Sequence, residues 1–170
     1  MKIALSLNES SIQSAISDIK KYKTEFVKKV DRFVDRVAEV MAADMSAGFG
    51  WTWYDDLLNR GGRSPNVSVT QDRRGNVVYV IAYGEDAVFV EFGAGVFHNT
   101  PVGSSPHPKG AELGFTIGSY GLGNGAKSVW GYYENGEMFL THGTAAQMPM
   151  YNALKNTVGK INQIAREVFE

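Results

Sequence analysis

The groups in this chain that could do chemistry are a few carboxylates and three histidines. Glu91 stands in the run Ala87–Gly95, AVFVEFGAG, among the densest β-forming residues of the sequence. Paired with Glu85, Asp86 or Glu112, it could form the two-carboxylate arrangement of glycoside hydrolysis. An unpaired carboxylate on a buried element is costly, so Glu91 requires a basic or backbone N–H partner. Arg60, Arg63 or a neighbouring subunit could supply the basic one. His98, His107 and His142 are the available imidazoles. Zinc sites want two ligands at close spacing and a third farther on. His98 and His107 instead lie in a proline-containing loop, and His142 follows about 35 residues later. Spacing therefore does not gather them, and capping or solvated roles suit them as well as ligation. A small metal-dependent hydrolase using Glu91 and these histidines is the enzymatic alternative.

Other catalytic patterns fail on inspection. The chain has no cysteine, which removes disulfides, thiolate nucleophiles and cysteine-ligated zinc together. No serine sits in a G-x-S-x-G elbow. Gly125-Ala126-Lys127-Ser128 carries an alanine more than a phosphate-loop motif tolerates, and a hairpin pattern follows it instead of a helix. Glycines at 121, 123 and 125 have no βαβ unit behind them. No cofactor, metal or catalytic residue is expected. The net charge of −1 supplies no global field for nucleic acid or an anionic membrane. The N-terminal apolar run is too short for a signal peptide, and no stretch approaches the roughly 20 apolar residues of a membrane span.

The elements that must position these groups follow from periodicity. At 170 residues, 44% apolar and 21% charged, the chain suits one soluble globular domain. Residues 2–7 suggest a strand or extended lead-in. Ser10–Gln13 has the form of a capping box, with Ser10 as the cap. From Ile12, apolar residues recur every three or four positions. Ile12, Ile19, Phe26, Phe33 and Val40 stand seven apart, with Ile16, Val30 and Val37 between them. A helix over about 9–47 follows, about 50 Å long at 1.5 Å per residue. That exceeds what a small domain needs for its own core. It either lies across a sheet or packs part of its seam on another chain. Aromatics and glycines at 48–54 end it, and a turn of helix at 55–59 and a basic loop at 60–65 follow. Two strand patterns, 66–71 and 76–83, flank a turn at Asp72–Gly75. The opening run supplies a third strand, with Val88, Val90 and Phe92 on one face, giving a β-meander over 66–92. Residues 93–128 read as a loop-rich insertion with a short strand at 113–117. Asn135-Gly136 joins a hairpin over 129–142. Pro149 opens a last helix to 169, whose apolar stripe is Met150, Leu154, Val158, Ile161, Ala165 and Val168. The fold class is α+β: a long N-terminal and a C-terminal helix packed on an antiparallel sheet of hairpins.

Two stretches resemble one family. Ala87–Gly95 is similar to the YVEFGTG signature of siphophage tail-completion, or neck, proteins, a group also described as minor tail or head–tail joining proteins. Thr141–Ala153, THGTAAQMPMYNA, resembles that family's HGxPAxPFMxPA run into the last helix. The order of elements also matches. Met45–Leu58 lacks the family's P-x-x-TG-x-L segment, and Met148-Pro149-Met150 replaces its Pro-Phe-Met. The resemblance implies a non-enzymatic virion protein, made in the host cytoplasm. It would form a homo-hexameric ring in the head–tail connector, against the head-completion (stopper) protein, tail terminator and tail tube. Genomic DNA would pass through the lumen without sequence readout. A tail terminator or another minor tail protein is the nearest alternative. Carried onto this chain, the family's structural and interface positions are Phe89, Glu91, Phe92, Gly93, Gly95, His142, Gly143, Pro149 and Met150. Arg60, Arg63, Arg73 and Arg74 are candidates for facing DNA or an acidic partner, or else sit in solvated turns.

Overall fold

The structure, a computed structural model, describes Ser6 and residues 8–51, 64–93, 105–115 and 129–170. The rest of the 2–7 lead-in, the 55–59 turn, Arg60, Arg63, Gly95, His98 and the glycine-rich 118–128 stretch lie outside the described residues.

Helix α1 runs Glu9–Gly50, 42 residues or roughly 63 Å. Its cap is Asn8 rather than Ser10: the Asn8 side chain accepts from the Ser11 N–H at 2.8 Å. The helix passes Gly48 and ends three residues later than the sequence suggests. Strands β1 (Ser68–Arg74) and β2 (Val77–Tyr83) pair antiparallel, with Val69 opposite Ala82 and Gln71 opposite Val80. The turn between them is Gly75-Asn76, shorter than expected, because β1 extends to Arg74. Strands β3 (Trp130–Glu134) and β4 (Glu137–Thr141) form a second, separate hairpin. Asn135 and Gly136 turn it with φ of 50° and 83°, the two positive values of a type I′ turn. Helix α3 runs Pro149–Phe169, as expected.

The expected third strand is instead a helix, α2, at Ala87–Phe92. Its buried residues are Ala87, Val90 and Glu91, a helical spacing that alternation conceals. The meander over 66–92 is therefore a hairpin followed by a helical turn. Leu113 and Gly114 lie in a turn, not a strand.

The core is a junction of Met45, Phe49, Val90 and Ala153, backed by Met41, Val67, Val69, Val80, Ala82 and Met150. Helix α1 thus lies between the β1–β2 hairpin and α3. The two long helices run antiparallel: Gly48 faces Pro149, Asp44 pairs with Lys160 at 3.1 Å, and Phe33 meets Phe169 at 5.9 Å between ring centres. A Cβ on Gly48 would sit 2.7 Å from that of Pro149, so only glycine allows this approach. The α3 face turned inward is Pro149, Ala153, Thr157, Ile164 and Val168. Close packing through such small residues leaves Leu154, Val158 and Ile161, expected in the core, exposed. Arg73, near the tip of the first hairpin, donates to Asp31 at 2.6 Å and to Asp35, tying the hairpin to α1. The Asp35 hydrogen bond leads in raising its pKa above the usual arginine value.

Two stability outcomes follow. Met45→Ala, at a fully buried junction residue, lowers unfolding free energy by about 2–5 kcal/mol in denaturant titration. Thr157→Val is neutral or stabilising, because the buried Thr157 hydroxyl oxygen has no hydrogen-bond partner to lose.

Candidate functional site

Helix α3 begins with an unusual cap. Met148, the N-cap residue, has left-handed φ 53° and ψ 45° and makes no side-chain cap bond. Such a conformation disfavours a non-glycine residue by roughly 1–2 kcal/mol, so the surroundings must hold it. Pro149 at the first helical position has no N–H to satisfy. The next two backbone N–H groups, on Met150 and Tyr151, have no partner within the helix. Both donate to Glu91, Met150 to Oε2 at 2.7 Å and Tyr151 to Oε1 at 2.9 Å. The first intrahelical bond, Asn152 N–H to the Met148 carbonyl at 2.8 Å, completes the set. A carboxylate 59 residues earlier in the chain therefore does what an N-cap side chain normally does. Its charge also meets the positive end of the helix dipole.

Helix α2 delivers Glu91 to that point. Asp86 leads into α2, and its Oδ2 accepts from the Asn66 N–H at 2.6 Å, fixing the helix to the start of the hairpin. The Gly93 N–H donates to the Phe89 carbonyl at 2.9 Å, and Gly93 closes the helix at φ 78°, a value that favours glycine. A second clasp runs from the Gln147 N–H to the Val90 carbonyl at 2.9 Å. Glu91 is 2% exposed, and its partners Met150 and Tyr151 are half-buried.

The third partner of Glu91 is His107, whose Nε2 lies 3.1 Å from Oε1. His107 Nδ1 accepts the Lys109 N–H at 3.0 Å, which leaves Nε2 as the protonated nitrogen that donates to Glu91. The turn carrying His107 folds onto α2. Ser105 Oγ donates to the Phe92 carbonyl, and the Ser105 N–H donates to the Phe115 carbonyl at 3.1 Å. Phe115 stacks on Phe92 at 3.9 Å, and the His107 ring packs 4.5 Å from Phe92 and edge-on to Tyr151 at 5.4 Å.

Of the residues singled out in the sequence, the structure brings Glu91, Pro149 and Met150 to one junction, with Phe92 and Gly93 beside it. Phe89 is half-buried on α2. His142 is half-buried and Gly143 buried just after β4, where the Gly143 N–H donates to Thr141 Oγ1 at 2.9 Å. Arg74 pairs with Asp72 at 2.7 Å and lies over the Tyr79 ring, so both it and Arg73 have intramolecular partners. The sequence leaves His107 open between ligating, capping and solvated roles. Its role as a hydrogen-bond donor to Glu91 has no periodic signal, since the partners stand 16 positions apart in the sequence. Among the described residues no group of three or more His, Asp or Glu is placed to hold a metal ion.

Replacing Glu91 tests the cap. Glu91→Gln puts an amide against two backbone donors and destabilises by about 3 kcal/mol or more, read from denaturant unfolding. His107→Ala costs less, about 1–2 kcal/mol, because both helix N–H groups keep their acceptor. Nitrogen-15 chemical shifts of His107 report the Nε2–H tautomer; an Nδ1–H signature contradicts the geometry. Comparison with known proteins adds no relative: no family model, no curated protein and no solved structure matches the chain.

Proposed function

We propose that this chain is a non-enzymatic structural subunit of a siphophage neck, completing the tail and joining it to the head as one member of a ring. The observation that carries the reading is the Glu91 junction. The two stretches that resemble the neck family, Ala87–Gly95 and Thr141–Ala153, are far apart in sequence yet meet at one junction. Glu91 of the first accepts the helix-opening N–H groups of Met150 and Tyr151 in the second. A resemblance confined to two segments makes physical sense if those segments hold each other.

The chemistry of the junction supports an assembly role. The two oxygens of Glu91 accept three N–H groups, and both ring nitrogens of His107 are engaged. An acid and an imidazole so committed serve to hold the fold. Arg73, balanced by Asp31 and Asp35, fastens the hairpin in this reading and is not a free contact for DNA. Among the described residues no helix is long and apolar enough to cross a membrane. The proposed location is the virion, between head connector and tail tube, with the head-completion protein, terminator and tube as neighbours.

Removing the chain from a phage that encodes it tests the proposal. Filled heads and separate tails are expected to accumulate, and adding the purified protein is expected to restore joined, infectious particles. Normal joining in its absence contradicts the reading.

A further inference from the structure

Helix α1 is longer than the fold it serves. Helix α3 ends at Phe169, which lies 5.9 Å from Phe26 and from Phe33 between ring centres, and Lys29 Nζ donates to the Phe169 carbonyl at 2.9 Å. The 17 residues of α1 before Phe26 run on for roughly 25 Å beyond that end. They carry the same apolar seam. Ile12, Ile16, Ile19, Tyr22, Phe26, Val27 and Val30 are 37–54% exposed. Together they present on the order of 600 Å², the upper end of what a typical monomer leaves in one patch. It is most of the ~800 Å² that one partner gives to a standard interface.

A seam with sevenfold spacing fits another helix. Its continuation at Phe33 already has one, because α3 covers it. Among the described residues the remaining helix, α2, has only six residues and is held in the Glu91 junction. The molecule does carry a second uncovered helical stripe: Leu154, Val158 and Ile161 on the outer side of α3 are 39–59% exposed. This stripe runs over eight residues, about 12 Å, and matches the middle of a seam that runs from Ile12 to Val27, about 24 Å. The two stripes cannot meet within one chain. Lys160 pairs with Asp44, which places the middle of α3 some 25 residues from Ile19, or about 38 Å along α1.

We infer that the projecting seam of α1, Ile12–Val27, docks on the outer stripe of α3, Leu154–Ile161, in a second copy of the chain. Resting on the ring reading above, this names the surfaces that make the ring. Two different patches join head to tail, and each copy offers one of each, as a cyclic assembly requires. Lys20 beside the seam and Lys23 within it keep their charges at the rim by extending their aliphatic stems.

The absence of native cysteine makes the test direct. Ile19 and Val158 lie at the midpoints of their stripes, so they face each other in either helix orientation. Under mild oxidation of the full-length protein, the Ile19→Cys, Val158→Cys double variant is expected to give a ladder of covalent multimers. At least tenfold more multimer is expected than in either single variant, and circular dichroism should be unchanged from wild type. Dimers from Ile19→Cys alone overturn the inference, because the seam then pairs with itself. An uncrosslinked oligomer of wild-type mass also overturns it, while leaving the ring reading intact. A protein that stays monomeric and floats with anionic phosphatidylserine vesicles overturns it in favour of a membrane surface.

Discussion

The fold depends on one buried carboxylate. Helix α3 starts from a left-handed methionine and a proline, and no side chain of its own caps it. Its first free N–H groups would be orphaned in an interior that has little water. Glu91 accepts both and places a negative charge at the end of the helix where the backbone dipole is positive. The bond does more than finish a helix. It joins α2, the lead-in to α3 and the His107 turn at one point, beside the core formed by Met45, Phe49, Val90 and Ala153. Polar satisfaction and apolar packing thus reinforce each other there. Loss of the acid leaves two partly buried donors without their acceptor beside the core.

The functional reading grows from the same constraint. A carboxylate in an apolar run invites a catalytic role, and a nearby histidine strengthens the invitation. In the structure the acid accepts from backbone and from the imidazole, and the imidazole is engaged at both nitrogens. What remains unexplained by the single chain is apolar surface: a helix that outruns its partner, and a stripe of α3 turned outward. Both suit the proposed assembly role. The proposed neck role and the proposed docking surfaces draw on different observations, the junction for one and the exposed stripes for the other.

Much of this was legible in the sequence. Sevenfold apolar spacing gave α1, Pro149 gave the start of α3, and Asn135-Gly136 gave the second hairpin turn. The need for a backbone N–H partner at Glu91 followed from the cost of burying a charge. Three features were not legible, each for a physical reason. Ala87–Phe92 is rich in β-branched and aromatic residues, so its local preference favours a strand. Tertiary contacts override that preference, and the quieter signs were Asp86 before it and Gly93 after it. The rotation of α3 departs from its bulky stripe because close helix packing selects Ala153 and Thr157 over Leu154 and Val158. His107 was out of reach because its contact is non-local and made by a loop.

The central claim is that Glu91 holds the start of α3. Amide hydrogen exchange tests it in the unaltered protein. Helix-opening N–H groups normally exchange quickly, having no intrahelical partner. The Met150 and Tyr151 amides should instead exchange as slowly as those of the core positions Met45 and Ala153. Exchange at the rate of a frayed helix end would contradict the account.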